Sequence, residues 1–195
     1  FEEKVKAPMV ELVETINAEL AKFAPDHINE PKKAIYRIYR DTRFSKDKTP
    51  YKVHIGAIFP RRNLDKHGSA GYYFHLSHKE VMIAGGAYMP GKDELLAIRT
   101  HLAEHHAEFR KLVRAKKLTD QMGELQGEEL TRVPKGFEPD HPAADLIRKK
   151  QWCFFLKLKP AVALEPGFQK DLIGKFRAMK ATVDLINAPL VARLK

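Results

Sequence analysis

The chain of 195 residues has one cysteine, no apolar run long enough to cross a bilayer, and no glycine-rich phosphate loop. Each absence removes a class of protein. With Cys153 alone, between Trp152 and Phe154, an intramolecular disulfide framework and a cysteine-based zinc cluster are excluded, which predicts a cytoplasmic location. Its aromatic neighbours also make Cys153 a poor nucleophile, since reactive thiolates need an accessible, electropositive setting. The longest apolar stretch, Val81–Met89, falls well short of the roughly 18 residues a spanning helix needs, so no membrane partner is expected. The chain opens Phe1-Glu2-Glu3-Lys4, without a basic n-region, an apolar h-region or an initiator Met, which predicts a trimmed native start rather than a signal peptide. Neither GxGxxG nor a Walker pattern occurs, and no cofactor is implied.

What remains is a chain that is 44% hydrophobic and 31% charged, the composition of a globular protein. Val5, Met9, Leu12, Val13, Ile16, Leu20 and Phe23 recur at spacings of three and four, an amphipathic N-terminal helix with Pro8 in its first turn or at a kink. Four runs bounded by turn residues read as strands: Ala34–Arg40, Tyr51–Phe59, Gly71–Leu76 and Val81–Tyr88, with a fifth at Trp152–Leu158. In Tyr51–Phe59 the odd positions share one face and Lys52 and His54 the other, as in a half-buried antiparallel strand. One long helix is expected over Lys92–Leu118, a short one capped by Asp140, and a last one from Gly167 to Ile186 that Pro189 prevents from continuing. This order predicts an α+β fold in a single domain over residues 1–195, a mainly antiparallel sheet of about five strands packed with a long middle helix and terminal helices.

Charge is unevenly placed. The chain has 35 Lys and Arg against 25 Asp and Glu, a formal net charge of +10. Residues 32–66 hold eleven of the basic groups and three acids, so +8 of the excess lies in one segment on a nearly neutral body. A localised field implies a localised partner. The same segment contains a ten-residue link, Asp41–Pro50, between two expected strands, and long ordered loops are often functional.

Within it, Arg37, Arg40, Asp41, Arg43, Phe44, Lys48 and Tyr51 meet the pattern RxxRDxRFxxxKxxY, and here the chain resembles the bacterial conserved hypothetical family called domain of unknown function (DUF) 2461. The resemblance extends through the Gly71–Pro90 strands to the C-terminal helix. It implies a bacterial cytoplasmic protein and brings no activity with it. Members of that family usually begin with an aromatic, Asn-rich segment that is absent here, in keeping with a trimmed start.

Arginine forks suit phosphate or carboxylate oxygens, and lysines add point charges around the same anion. Arg37, Arg40, Arg43, Lys46, Lys48 and Tyr51 are therefore candidate ligands for a phosphorylated or otherwise anionic small molecule, with Asp41, Lys48 or Tyr51 as candidate catalytic groups if the protein is an enzyme. Arg37 and Arg40 point to opposite faces of a straight strand and converge only if the chain twists or bulges near Arg40. Two other readings stand beside this one. The motif can be an Arg/Asp network that pins the loop to the sheet, or, with Tyr36, Tyr39, Phe44 and Tyr51, a sequence-tolerant nucleic-acid surface. Secondary candidates are His54 and His75, a general base if they meet in a pocket, and Gly85-Gly86, which reads as a bulge or a close approach of ligand or backbone. His101 and His105, with Glu104 or Glu108, have metal-ligand spacing but lie on an edge expected to be solvated, and no metal is assigned. The oligomeric state has no signature in the sequence.

Overall fold

A computed structural model describes residues 1–194. Its sheet has four strands, β1 (His54–Pro60), β2 (Ala70–Ser77), β3 (Val81–Ala87) and β4 (Trp152–Leu158), hydrogen-bonded in that order and antiparallel throughout. The helices are α1 (Ala7–Leu20), α2 (Pro31–Ala34), α3 (Lys92–Glu104), α4 (His106–Val113), α5 (Lys116–Met122), α6 (Ala144–Arg148) and α7 (Phe168–Ala192). The fold is α+β. Lys195, the end of the expected span, lies outside the described residues.

Alternation along each strand makes two faces. One carries Ala57 and Phe59, Tyr72 and Phe74, Ile83, and Phe154, all buried in the core cluster. Helix α7 covers it: Phe176 stacks on Tyr72 at 5.0 Å and meets Phe59 edge-on at 5.9 Å. Gly85 lets the helix approach, because a Cβ there would stand 2.6 Å from the Met179 sulfur. Near the far end of α7 the buried Asn187 amide accepts from the Ala70 N–H at 2.9 Å and donates to the Ala70 carbonyl at 2.8 Å, tying helix to sheet. The opposite face carries His54, Gly56 and Ile58; Gly71, Tyr73 and His75; Met82, Ala84 and Gly86; and Cys153, Phe155 and Lys157. No helix lies among the residues that line the hollow above it.

Four expectations are corrected. Ala34–Arg40 is not a strand but touches the β1 side through two isolated bridges, Ile35 to Ala57 and Tyr39 to Tyr51. Between those bridges three residues, 36–38, stand opposite five, 52–56, so the ladder bulges and cannot run on. The middle helix is broken at His105, whose φ of −110° and ψ of 23° end α3 and start α4, and again at Ala115 before α5. Asp140 caps nothing; α6 begins after Ala143, whose N–H donates to His141 Nδ1 at 3.0 Å. Pro189 does not stop the last helix, which continues to Ala192 with Leu190 buried. Tertiary ties at Asn187 and Leu190 outweigh the proline's missing donor.

Candidate functional site

The face turned away from α7 is the floor of a cleft of about 770 Å³. Ile58, Met82 and Phe155 make the floor apolar, Tyr36, Lys52, Lys66 and His67 wall one side, and Tyr88, Gln126, Gly127 and Gln151 the other. Two ammonium groups converge on one ring, the Lys52 Nζ 5.3 Å and the Lys66 Nζ 4.9 Å from the centre of Tyr36. Both are half-buried. Burial holds both below the ordinary lysine pKa, and Arg37 adds to the effect at Lys52. Lys66 donates to the Lys33 carbonyl at 2.8 Å, and among the described residues neither lysine has a carboxylate partner. Burial pushes the Tyr36 hydroxyl up to about 12, so it stays protonated beside His67 Nδ1 at 3.4 Å.

His54 and His75, expected to matter if they met in a pocket, do meet in this one, with rings stacked at 4.5 Å. Burial lowers the pKa of each; for His54 the neighbouring His75 adds to the effect, while for His75 the nearby Glu80 opposes it. His75 is 9% exposed and touches a partner on each side: its Nδ1 is 2.9 Å from the Tyr73 hydroxyl and its Nε2 is 3.4 Å from Glu80 Oε1. Glu80 is also paired with Lys157 at 3.2 Å, and that ammonium is the main reason its carboxyl lies below the usual range. An ionised carboxylate only accepts, so the tautomer that suits both neighbours has its proton on Nε2 and leaves Nδ1 to accept from Tyr73. Gly56, opposite His75 in the register, makes room for this: a Cβ there would lie 3.0 Å from the Tyr73 hydroxyl oxygen and 2.9 Å from the His75 Cβ.

Gly86 also lines the cleft. Its φ is +118°, and a Cβ would come 2.0 Å from the Trp152 carbonyl, so only glycine fits between β3 and β4. The expected bulge is absent, since the ladders on both sides run through Gly85 and Gly86 without a skipped residue. Cys153 lies in the same floor with its Sγ 3.2 Å from the Ala87 carbonyl, and burial pushes the thiol up to about 12, which keeps it unreactive.

The Arg37–Tyr51 motif lies outside the cleft, on an exposed hairpin closed by the Tyr39–Tyr51 bridge and by the Arg40 N–H on the Pro50 carbonyl at 2.9 Å. Its charges largely answer one another. Arg40 pairs with Asp47, and Arg43 holds Asp41 through two bonds of 2.7 and 3.0 Å, which puts the Asp41 carboxyl below its ordinary pKa. Lys48 donates to the Thr42 carbonyl at 2.9 Å, and Lys46 is exposed. Arg37 differs: it lines a shallow basic groove with Lys32, Lys33, Arg61, Arg62 and Lys66, and this groove shares Tyr36 and Lys66 with the cleft. The motif is thus split, with Arg37 beside the cleft and Arg40, Asp41, Arg43, Lys46 and Lys48 on the hairpin.

Tyr73, Glu80, Lys52 and Lys66 were not marked as site residues by the sequence. A signal was present for one of them, because Tyr73 and His75 stand two apart on the strand face that the core does not use. Elsewhere, His101 and His105 are 4.3 Å apart between ring centres, and among the described residues no three metal-ligating side chains cluster. No described helix is long and apolar enough to cross a membrane. No curated protein and no solved structure matches the chain. The profile of a family described as conserved hypothetical protein (DUF2461) matches residues 1–185, nearly the whole length, and the chain therefore belongs to the DUF2461 family.

Proposed function

We propose that the protein binds a phosphorylated or otherwise anionic small molecule in the cleft, with the charged group of the ligand against Lys52 and Lys66. The observation that carries this reading is the pair of half-buried ammonium groups over one tyrosine ring without a carboxylate between them. A cation withdrawn from water without a counter-ion costs free energy that an arriving anion offsets. Arg37 and the basic groove beside it add a field that draws anions toward the same mouth. The apolar floor then holds the body of the ligand.

Thermal melting against inorganic phosphate, sugar phosphates, nucleotides and 2-oxo carboxylates tests the proposal. A ligand at a hundred times its Kd stabilises the native state by about 2.7 kcal/mol. The expected result is a raised melting temperature in the wild type that is lost in the Lys52→Ala/Lys66→Ala variant. A melting temperature unmoved by the whole panel contradicts the reading.

One observation favours a second reading, sequence-tolerant binding of single-stranded nucleic acid along the hairpin. Phe44 is 95% exposed, Tyr39 58% and Tyr51 51%, beside Arg43, Lys46 and Lys48. Rings and cations in that arrangement suit base stacking and backbone contact. This reading requires affinity for an oligonucleotide that falls steeply with salt and weakens in Phe44→Ala; indifference to both removes it.

A further inference from the structure

We propose that the cleft is an acid–base site in which Tyr73 is the catalytic residue, exchanging a proton with the bound molecule through His75, which Glu80 holds in position. The proposal rests on the anion-binding reading and gives that site its chemistry. Its substrate class is a small anionic carbonyl compound with an acidic C–H beside the carbonyl.

The geometry favours one direction of transfer. Glu80 sits at Nε2 of His75, so the free lone pair of the ring is on Nδ1, 2.9 Å from the Tyr73 hydroxyl. Both side chains line the cleft, but Tyr73 is half-buried while His75 is 9% exposed and stacked against His54, so the Tyr73 hydroxyl is the more open end of the pair. As the C–H bond of the substrate breaks, its proton passes to the phenolic oxygen while the Tyr73 proton passes to Nδ1. The electron pair of that bond stays on the substrate as an enolate, and His75 becomes an imidazolium whose Nε2–H faces the Glu80 carboxylate. No free phenolate forms, which matters because burial raises the Tyr73 pKa. The new negative charge lies one ring away from the two lysines: the rings of Tyr73 and Tyr36 are 6.1 Å apart, edge to face, and Lys52 and Lys66 flank Tyr36. Return of the proton to either end of the enolate completes an exchange or an isomerisation. Glycine at position 56 is part of the device, because a side chain there would strike both Tyr73 and His75.

The test uses pyruvate and dihydroxyacetone phosphate as probes, with binding measured by calorimetry and proton exchange into D2O followed by NMR. The expected result is protein-dependent exchange of the C–H protons that falls about 100-fold or more in Tyr73→Phe, while the probe still binds within about twofold; positioned acid–base groups contribute on the order of 10²–10⁴. Binding without exchange, or exchange unchanged in Tyr73→Phe, overturns the relay and leaves the anion site standing. If neither probe binds, the proposed substrate class is overturned, while the anion site itself stands or falls on the wider panel of phosphates and nucleotides. Nitrogen NMR of ligand-free protein reads the tautomer and the charge the relay needs: the ring carries its proton on Nε2 in the wild type, and the pH at which it becomes imidazolium falls in Glu80→Gln, which removes the carboxylate that favours the charged ring. An Nδ1–H ring in the wild type overturns the proposal whatever the probes do.

Discussion

The hairpin and the cleft are built from the same kinds of side chain, arginine or lysine beside tyrosine and a carboxylate, and they differ in who answers each charge. On the hairpin the half-buried Arg40 has Asp47 and the exposed Arg43 has Asp41, each a few residues away on the same loop. In the cleft Lys52 and Lys66 are half-buried against Tyr36, and the nearest carboxylate of the relay, Glu80, is taken by His75 and Lys157. A count of charge along the chain ranks the hairpin first. Pairing reverses the order, because a cation that already has a carboxylate gains little from a ligand, whereas a half-buried cation without one gains more.

The contrast can be broken at its base by removing the cleft floor. Gly86→Ala places a Cβ against the Trp152 carbonyl at a φ of +118°, and strain plus overpacking should cost at least about 3 kcal/mol, read by denaturant unfolding. Phe44→Ala on the hairpin should leave the unfolding midpoint where it was, since the ring is 95% exposed. Equal losses from the two would mean that the hairpin is no appendage. Next in size are the two lysines. Lys52→Ala and Lys66→Ala should each lower affinity for a phosphate compound about tenfold, the loss of one charge-assisted contact, in a calorimetric titration.

Acid should act on the core and the cleft and spare the hairpin, which has no histidine between Ile35 and Lys52. His27 is buried with its Nδ1–H on the Phe59 carbonyl at 3.0 Å, and burial lowers its pKa below the ordinary 6.5, as it does for His54 and His75. Below pH 6.5 the unfolded chain therefore binds protons that the native state refuses. Stability from this source is complete above that pH and is lost as pH falls toward the folded values, by up to about 1.4 kcal/mol per pH unit for a fully buried group such as His27. Unfolding curves between pH 7.5 and about 5 check the sign, and His27→Gln should flatten the slope. The smallest effect is expected from Arg40→Ala and Arg43→Ala, which should leave phosphate affinity within about twofold and so separate the hairpin pairs from the binding site.

Much of the sheet was legible because burial imposes a period of two: Ala57 and Phe59, then Tyr72 and Phe74, face α7 as alternation requires. The same period placed His54 away from the core. The site itself was only half legible. Glu80 reaches His75 through the β2–β3 turn, and Lys66 meets Lys52 only because residues 60–70 fold back over Tyr36, and no spacing within a strand encodes either contact. The bulge opposite Tyr36–Ile38 hid for the same reason, since it depends on how two strands pair and not on either alone. Pro189 misled because a propensity of about 3 kcal/mol against helix is local, while the hydrogen bonds from Asn187 to Ala70 are not.

Backbone NMR of the wild-type protein titrated with inorganic phosphate separates cleft from hairpin residue by residue. The expected shifts saturate and cluster at Tyr36, Lys52, Lys66 and His67, around the cleft mouth. Shifts that cluster instead from Arg40 to Lys48, with the cleft residues unmoved, would contradict the cleft reading and return the anion to the hairpin.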